Sequence, residues 1–302
     1  MLCLDDLTYD ILQKLHLKNV IPIRVSEIED DELREAKKDR TISEYSWTLK
    51  PSMATYILKK HPEIKILFYI DTDIYFYSSI EPLYEEMGDA SVMLFPHRLP
   101  KGKKYKEEEV GKYNGGMIMF RNVDEGKRII EWWRQQCNEW CYLKAEPGKL
   151  GDQKYLDYFE EKFEGVKISE NLGADVATWN IKNYRGTVQK IDGQVYVLGV
   201  PLICFHFSVF RHYYPSYFFL PNGPATGYDY TLPSPEKTCI YDEYMAQVYE
   251  GFERIRIVHP GFRYGATTRP SLWRQVKKDI FLLVRMKMSE LIDRILGRTS
   301  HP

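Results

Sequence analysis

Two carboxylates separated by a single residue, Asp71 and Asp73, close an apolar run in residues 65–77 (KILFYIDTDIYFY). Residues i and i+2 of an extended chain point the same way, so both acids can face one site. Two hard oxygen donors at that spacing suit Mg²⁺ or Mn²⁺ holding a diphosphate. The plainer alternative is that they end a strand and solvate a turn. Other polar residues flank other apolar runs. Lys50 precedes the acidic segment, Asn114-Gly115-Gly116 precedes MIMF, and Asp152-Gln153 opens a helical stretch. Trp179-Asn180 ends a loop that starts at Gly173, and His206 lies in the run LICFHF. Each alone has a bland reading: a Gly-Gly pair is a turn, and a lone strand histidine is a satisfied core residue.

The elements that must carry these residues alternate between strand and helix. Residues 66–70 mix aromatic and aliphatic side chains without alternation, as in a strand buried on both faces of a parallel sheet. Ligands of open α/β sheets sit beyond the carboxyl ends of such strands. Further strands are expected at 2–4, 19–25, 91–95, 117–121 and 202–207. Residues 187–191 and 194–198 should form a hairpin about Asp192-Gly193. Helices are expected at 7–17, 27–38, 79–88, 123–142 and 153–163. Another runs from 42 to 60, with Thr41-Ile-Ser-Glu44 at capping-box spacing and Pro51 as a kink or break. Trp132, Trp133 and Trp140 suit core packing. Residues 98–110 (RLPKGKKYKEEEV) read as a solvated loop or a mobile segment beside the site, and 213–235 as irregular loop. Residues 271–296 have an apolar stripe and a basic face, which suits docking on the protein itself or on an anionic membrane.

At 302 residues the chain has room for one large domain or two. A net charge of −1 gives no bulk electrostatic case for nucleic acid. The five cysteines are odd in number and irregularly spaced. Cys137 and Cys141, one helical turn apart with no nearby histidine, read as core thiols rather than zinc ligands. The expected setting is cytoplasmic: thiols suit a reducing compartment, and the sequence shows neither a signal peptide nor a long apolar span. Contact with the inner face of a membrane through 271–298 is an added expectation.

In order, Lys50, Asp71-Thr-Asp73, Asn114-Gly115-Gly116, Asp152-Gln153, Trp179-Asn180 and His206 resemble the GT-A glycosyltransferases, above all family 8 and its bacterial polysaccharide and lipopolysaccharide relatives. The resemblance spans roughly residues 1–212. It implies an α/β, Rossmann-like nucleotide-diphospho-sugar transferase fold with a mixed central sheet over residues 1–265, followed by the amphipathic helix in 266–302. It implies Asp71, Asp73 and His206 as ligands of Mn²⁺ or Mg²⁺, with Asp71 also near the ribose. Lys50 would lie near the diphosphate or donor sugar, Asn114 and Gly115 beside the sugars, and Asp152 and Gln153 near the reacting carbon. Trp179 and Asn180 would line the acceptor side. Arg211 stands close to the place of a phosphate-contacting lysine, without the usual glycine and Lys-Pro-Trp run. The implied partners are a nucleotide-sugar donor, a UDP-sugar above others, and a glycan, lipid-linked or other hydroxyl acceptor, with retention at the anomeric carbon. Against the family pattern the chain starts at what looks like the second strand, so the expectation is that the first strand–helix unit is lacking, either because the true start lies upstream or because part of the nucleotide pocket is lost.

Two other classes stay open. A haloacid-dehalogenase-type phosphotransferase also uses two acids after a strand, but its pattern wants Thr or Val where Tyr75 stands. An inactive sugar-nucleotide-binding or assembly subunit would keep the pocket without turnover.

Overall fold

Thr41 and Glu44 close a capping box: the Thr41 hydroxyl accepts from the Glu44 amide, and the Glu44 carboxylate accepts from the Thr41 amide at 2.8 Å. Two otherwise orphaned helix-end donors are thereby satisfied. The helix that follows is the longest described, Ile42–Lys60, and it runs through Pro51 rather than breaking there. Proline removes one backbone bond. Buried packing on both sides of it, Tyr45 and Leu49 before and Ala54 and Leu58 after, offsets that loss.

The computed structural model describes residues 1–208, 210–214, 217–219, 235, 237–264 and 266–268. Its helices are α1 (Asp6–Leu15), α2 (Asp31–Lys37), α3 (Ile42–Lys60), α4 (Glu81–Met87), α5 (Glu107–Val110), α6 (Asp124–Glu139), α7 (Phe159–Lys162) and α8 (Asp242–Val258). Its early strands are β1 (Leu2–Cys3), β2 (Ile23–Arg24), β3 (Ile66–Ile70), β4 (Ile74–Phe76), β5 (Val92–Pro96), β6 (Tyr113–Arg121) and β7 (Val166–Ile168). The later ones are β8 (Val176–Ala177), β9 (Gln189–Ile191), β10 (Gln194–Val197), β11 (Val200–Pro201), β12 (Cys204–His206), β13 (Arg211–Tyr214), β14 (Tyr217–Phe219) and β15 (Ala266–Thr268). The architecture is mixed α/β. The chain divides into two compact units: residues 1–71, 81–97 and 106–171, and, among the described residues, 72–80, 98–105 and those from 172 onward.

In the first unit a four-stranded mixed sheet has the order β3-β6-β5-β7. β6 runs antiparallel to both neighbours, while β5 and β7 are parallel. Helices α3 and α6 meet this sheet in one core that includes Ala54, Leu58, Leu94, Ile118, Phe120, Ile129 and Trp133. Trp133 is fully buried, with Trp132 and Trp140 packed against the same cluster, in keeping with a packing role. Cys137 and Cys141 are free thiols in that core, although α6 ends at Glu139, so Cys141 follows the helix rather than riding on it. Strands β1 and β2 form a separate parallel pair.

Four sequence expectations are corrected here. Residues 66–70 do not sit inside a parallel sheet; β3 is an edge strand, antiparallel to β6 and partly exposed, with Ile70 39% accessible. Partial cover on both faces suffices to erase an alternating pattern, so a missing alternation does not by itself imply a central strand. Asn114-Gly115-Gly116 is not a turn ahead of a strand but part of β6, eight of whose nine residues are buried. Residues 101–106 form a 3₁₀ turn that leads into α5 instead of an open charged loop. The helix expected over 153–163 is likewise split, a 3₁₀ stretch over Gln153–Tyr158 passing into α7.

In the second unit β12 is the middle strand of three, antiparallel to β4 and parallel to β8. β9, β10 and β11 form an antiparallel meander. Its first turn is the expected Asp192-Gly193, with φ of 48° and 84°, the two positive values of a type I′ hairpin. The core gathers Val176, Tyr184, Val195, Leu202, Phe205, Phe207, Ile240 and Tyr241. The basic helix expected within 271–298, and most of the irregular stretch 213–235, lie outside the described residues. No helix among the described residues is long and apolar enough to cross a membrane.

Candidate functional site

In the first unit the acid at the end of β3 meets a buried lysine. Asp71 continues the ladder beyond Ile70, its amide donating to the Gly116 carbonyl at 2.8 Å. Its carboxylate accepts from the Tyr69 hydroxyl at 2.7 Å and lies 3.2 Å from Lys50 Nζ. Lys50 comes from the interior of α3 and is only 7% exposed. The same ammonium lies 3.1 Å from Asp152 Oδ2 and donates to the Gly115 carbonyl at 3.0 Å. Thus Lys50, Asp71, Gly115 and Asp152, drawn from four places in the sequence, converge on one nitrogen. Burial opposes a charge on Lys50, but the carboxylates of Asp152 and Asp71 outweigh it and hold the ammonium protonated well above the usual lysine range. Burial pushes the Asp152 carboxyl up, against the pull of Lys50. Tyr69 is pushed well up by burial and therefore stays a phenol donor.

Backbone geometry places the rest of this group. The Asp152 carbonyl accepts from Trp133 Nε1 at 2.9 Å, and Gln153 donates from Nε2 to the Val110 carbonyl at 2.8 Å. Asp152 Oδ2 is buried and has no directed hydrogen bond, so its contact with Lys50 is an ion pair alone. Gly115 faces it closely: a Cβ there would stand 2.7 Å from Asp152 Oδ2 and 2.9 Å from Gln153 Cβ. Only glycine fits without a shift. Asn114, also buried, accepts the Gly116 amide on its Oδ1 at 2.9 Å.

In the second unit strand pairing brings the other acid to the histidine. The register Ile74↔His206 places residue 73 just beyond residue 206, and the Phe207 amide donates to the Asp73 carbonyl at 2.8 Å. His206 Nε2 then lies 3.0 Å from Asp73 Oδ1. On the other side of the ring, Nδ1 is 3.7 Å from Asp175 Oδ1. Burial alone would lower the His206 pKa, but Asp175 and Asp73 outweigh it and raise it to about 10. The Trp179 ring meets the imidazole edge-on, centroids 5.0 Å apart. Asn180 is fully buried and uses its amide within its own loop, Oδ1 accepting from Ala177 N at 2.8 Å and Nδ2 donating to the Asp175 carbonyl at 2.9 Å. Arg211 opens β13.

Two residues here were not singled out as site residues from the sequence. Tyr69 was legible in principle, because it stands two positions before Asp71 on the same strand face. Asp175 was not: it reaches His206 through the parallel pairing of β8 with β12, a contact between distant stretches of sequence.

No protein-family model matches the chain. It is 36% identical over 213 residues to the uncharacterized protein YfnD of Bacillus subtilis (strain 168), covering 70% of this chain and 68% of that protein. The uncharacterized protein YfnF of the same organism is 36% identical over 218 residues, covering 70% of this chain and 71% of that protein. Among solved structures the chain is similar to a glycosyltransferase involved in the glycosylation of the major capsid of PBCV-1, at a TM-score of 0.40 and 12% identity over 67% of this chain and 84% of that one. Mouse xyloside xylosyltransferase 1, in its apo form, gives 0.40 and 18% identity over 67% and 80%.

Proposed function

This chain belongs to the family of the Bacillus subtilis proteins YfnD and YfnF, and we propose that it is a metal-dependent glycosyltransferase of GT-A architecture. Residues 1–265 form the catalytic body. The donor is a nucleotide-diphosphate sugar, a UDP-sugar in the first instance, and the acceptor is a hydroxyl of a glycan or lipid-linked molecule. The configuration at the transferred carbon is retained.

One observation carries the reading. The acid that ends the strand of the DxD pair and the acid of the Asp-Gln pair, 81 positions apart in the sequence, share the buried Lys50 ammonium at 3.2 and 3.1 Å. The ordered series of motifs asks for these residues to serve one donor sugar, and a common counter-ion is the simplest way to hold two carboxylates together.

Asp71, Asp73 and His206 are the side chains that would hold a divalent cation. Two carboxylates and an imidazole fit Mn²⁺ or Mg²⁺, and His206 Nε2 already faces an Asp73 oxygen. When bound, the cation supplies positive charge to a departing diphosphate. The chain's own groups do the rest. Lys50 spends its contacts on Asp71, Asp152 and Gly115, so it fixes these groups rather than reaching for phosphate. Asp152 and Gln153 flank the sugar carbon as it gains positive character, where a carboxylate or amide oxygen is stabilising. Asn114 and Gly115 lie beside the sugars, Trp179 and Asn180 line the acceptor side, and Arg211 is the residue assigned to phosphate from its place in the sequence.

Calorimetric titration of UDP with and without Mn²⁺ tests this, on the chain and on Asp73→Asn. Binding that needs both the metal and Asp73 is expected, followed by turnover with a member of a UDP-sugar panel. Unchanged Mn²⁺-dependent binding in Asp73→Asn would remove the metal assignment. No binding by the folded chain would remove the UDP donor. Metal-dependent UDP binding without any transfer would point instead to a binding or assembly subunit.

A further inference from the structure

The face of His206 turned away from Asp73 is occupied by a carboxylate that the proposed chemistry does not yet use. Asp175 is 0% exposed, and its Oδ1 lies 3.7 Å from His206 Nδ1. The surrounding loop holds it there firmly. Its backbone sits at φ 51°, in the left-handed region, which aspartate tolerates better than most residues. The Asp175 amide donates to Cys204 Sγ at 3.3 Å, and its carbonyl accepts from Asn180 Nδ2 at 2.9 Å. Upstream, Gly173 packs so tightly that a Cβ would stand 2.0 Å from the Pro201 carbonyl oxygen. Downstream, the pairs Phe205↔Val176 and His206↔Ala177 lock the register of the loop against β12. Trp179 meets the ring edge-on. These contacts fix the Asp175 backbone beside the His206 ring.

We propose that Asp175 is a positioning residue for the cation site: it holds the Nδ1–H of His206, fixing the ring so that Nε2 is the nitrogen presented to metal. The proposal rests on the metal reading above. Its chemistry is general. An imidazole ligates through one nitrogen, and a carboxylate on the other N–H sets the ring's orientation and raises the basicity of the ligating nitrogen. The arrangement Asp175, His206, then cation would therefore be a carboxylate–histidine–metal relay built across the β8–β12 pairing.

The test compares the full chain with Asp175→Asn, which keeps the volume and removes the charge. Mn²⁺ affinity is measured by calorimetry, folding by thermal melting, and the His206 ring by ¹H–¹⁵N NMR in the metal-free state. Asp175→Asn should melt cooperatively and bind Mn²⁺ about 10–100-fold more weakly. The His206 Nδ1–H resonance, downfield and slow to exchange in the parent, should move upfield in the variant. An unmoved resonance would overturn the proposal, whatever the change in affinity, because a merely structural acid could weaken binding indirectly. Unchanged affinity beside a shifted resonance would overturn it too. If the parent itself fails to bind Mn²⁺, the metal reading falls and the relay falls with it, while the resonance still reports whether Asp175 holds the ring. Should Asp175→Asn not fold, the parent decides: an Nδ1 without a slowly exchanging proton contradicts the proposal.

Discussion

Lys50 is the residue on which the first unit's polar group depends. It is buried, and it supplies the counter-charge for Asp152, whose side chain is 6% exposed, and for Asp71. Removing one partner of a buried ion pair leaves a charge that neither water nor protein stabilises. Lys50→Met should therefore lower the unfolding free energy by about 3–5 kcal/mol, read from urea denaturation. The double variant Lys50→Met with Asp152→Asn should recover part of that loss, because it removes the stranded carboxylate as well. A single variant as stable as the parent would mean that Asp152 is held protonated and needs no counter-ion. Gly115 belongs to the same argument through size rather than charge, since its missing side chain is the space in which Asp152 Oδ2 sits.

Among the elements, the Asp192-Gly193 turn separates backbone cost from crowding. Gly193 has φ 84°, yet nothing lies within 4 Å of where its Cβ would be. Gly193→Ala should thus destabilise the chain only through its left-handed backbone, by about 1–2 kcal/mol. Gly193→Asn should cost less, because asparagine visits that region more readily. Thermal melts of the two variants provide the comparison, and equal melting temperatures would show that φ is not what selects glycine there. The β4–β12 pairing works on a different principle. Its register alone brings Asp73 and His206 together, so a one-residue slip of either strand would put the two side chains on opposite faces.

For the molecule as a whole, the His206 cluster ties stability to pH. The group is raised from its ordinary 6.5 to about 10 in the folded, metal-free chain. A raised histidine binds its proton more tightly when folded, so its stabilisation is fully present below about pH 6.5 and is lost as pH climbs towards about 10. Unfolding of the metal-free chain across that window should show a decline that His206→Gln lacks. The two curves running parallel would mean that the carboxylates do not hold the proton on the ring. Metal should have the opposite pH preference. Cation and proton compete for Nε2, so Mn²⁺ affinity is expected to rise over the same window.

Local chemistry settled a definite part of this protein in advance. The capping box at Thr41, the hairpin at Asp192-Gly193, and the strands bearing Asp71 and His206 follow from interactions within a few residues. Such short-range signals depend on backbone preference and hydrogen bonding between neighbours, which the order of residue types already contains. Sequence order also suggested that Lys50, Asp71 and Asp152 serve one purpose, but not that a single ammonium would join them. That depended on α3, β3 and β6 packing into one core. The same holds for β3 as an edge strand, for Asn114-Gly115-Gly116 inside β6, and for Asp175 beside His206. Each is fixed by pairing between distant segments, whose energy resides in long-range burial and register and leaves no periodic mark on the local sequence.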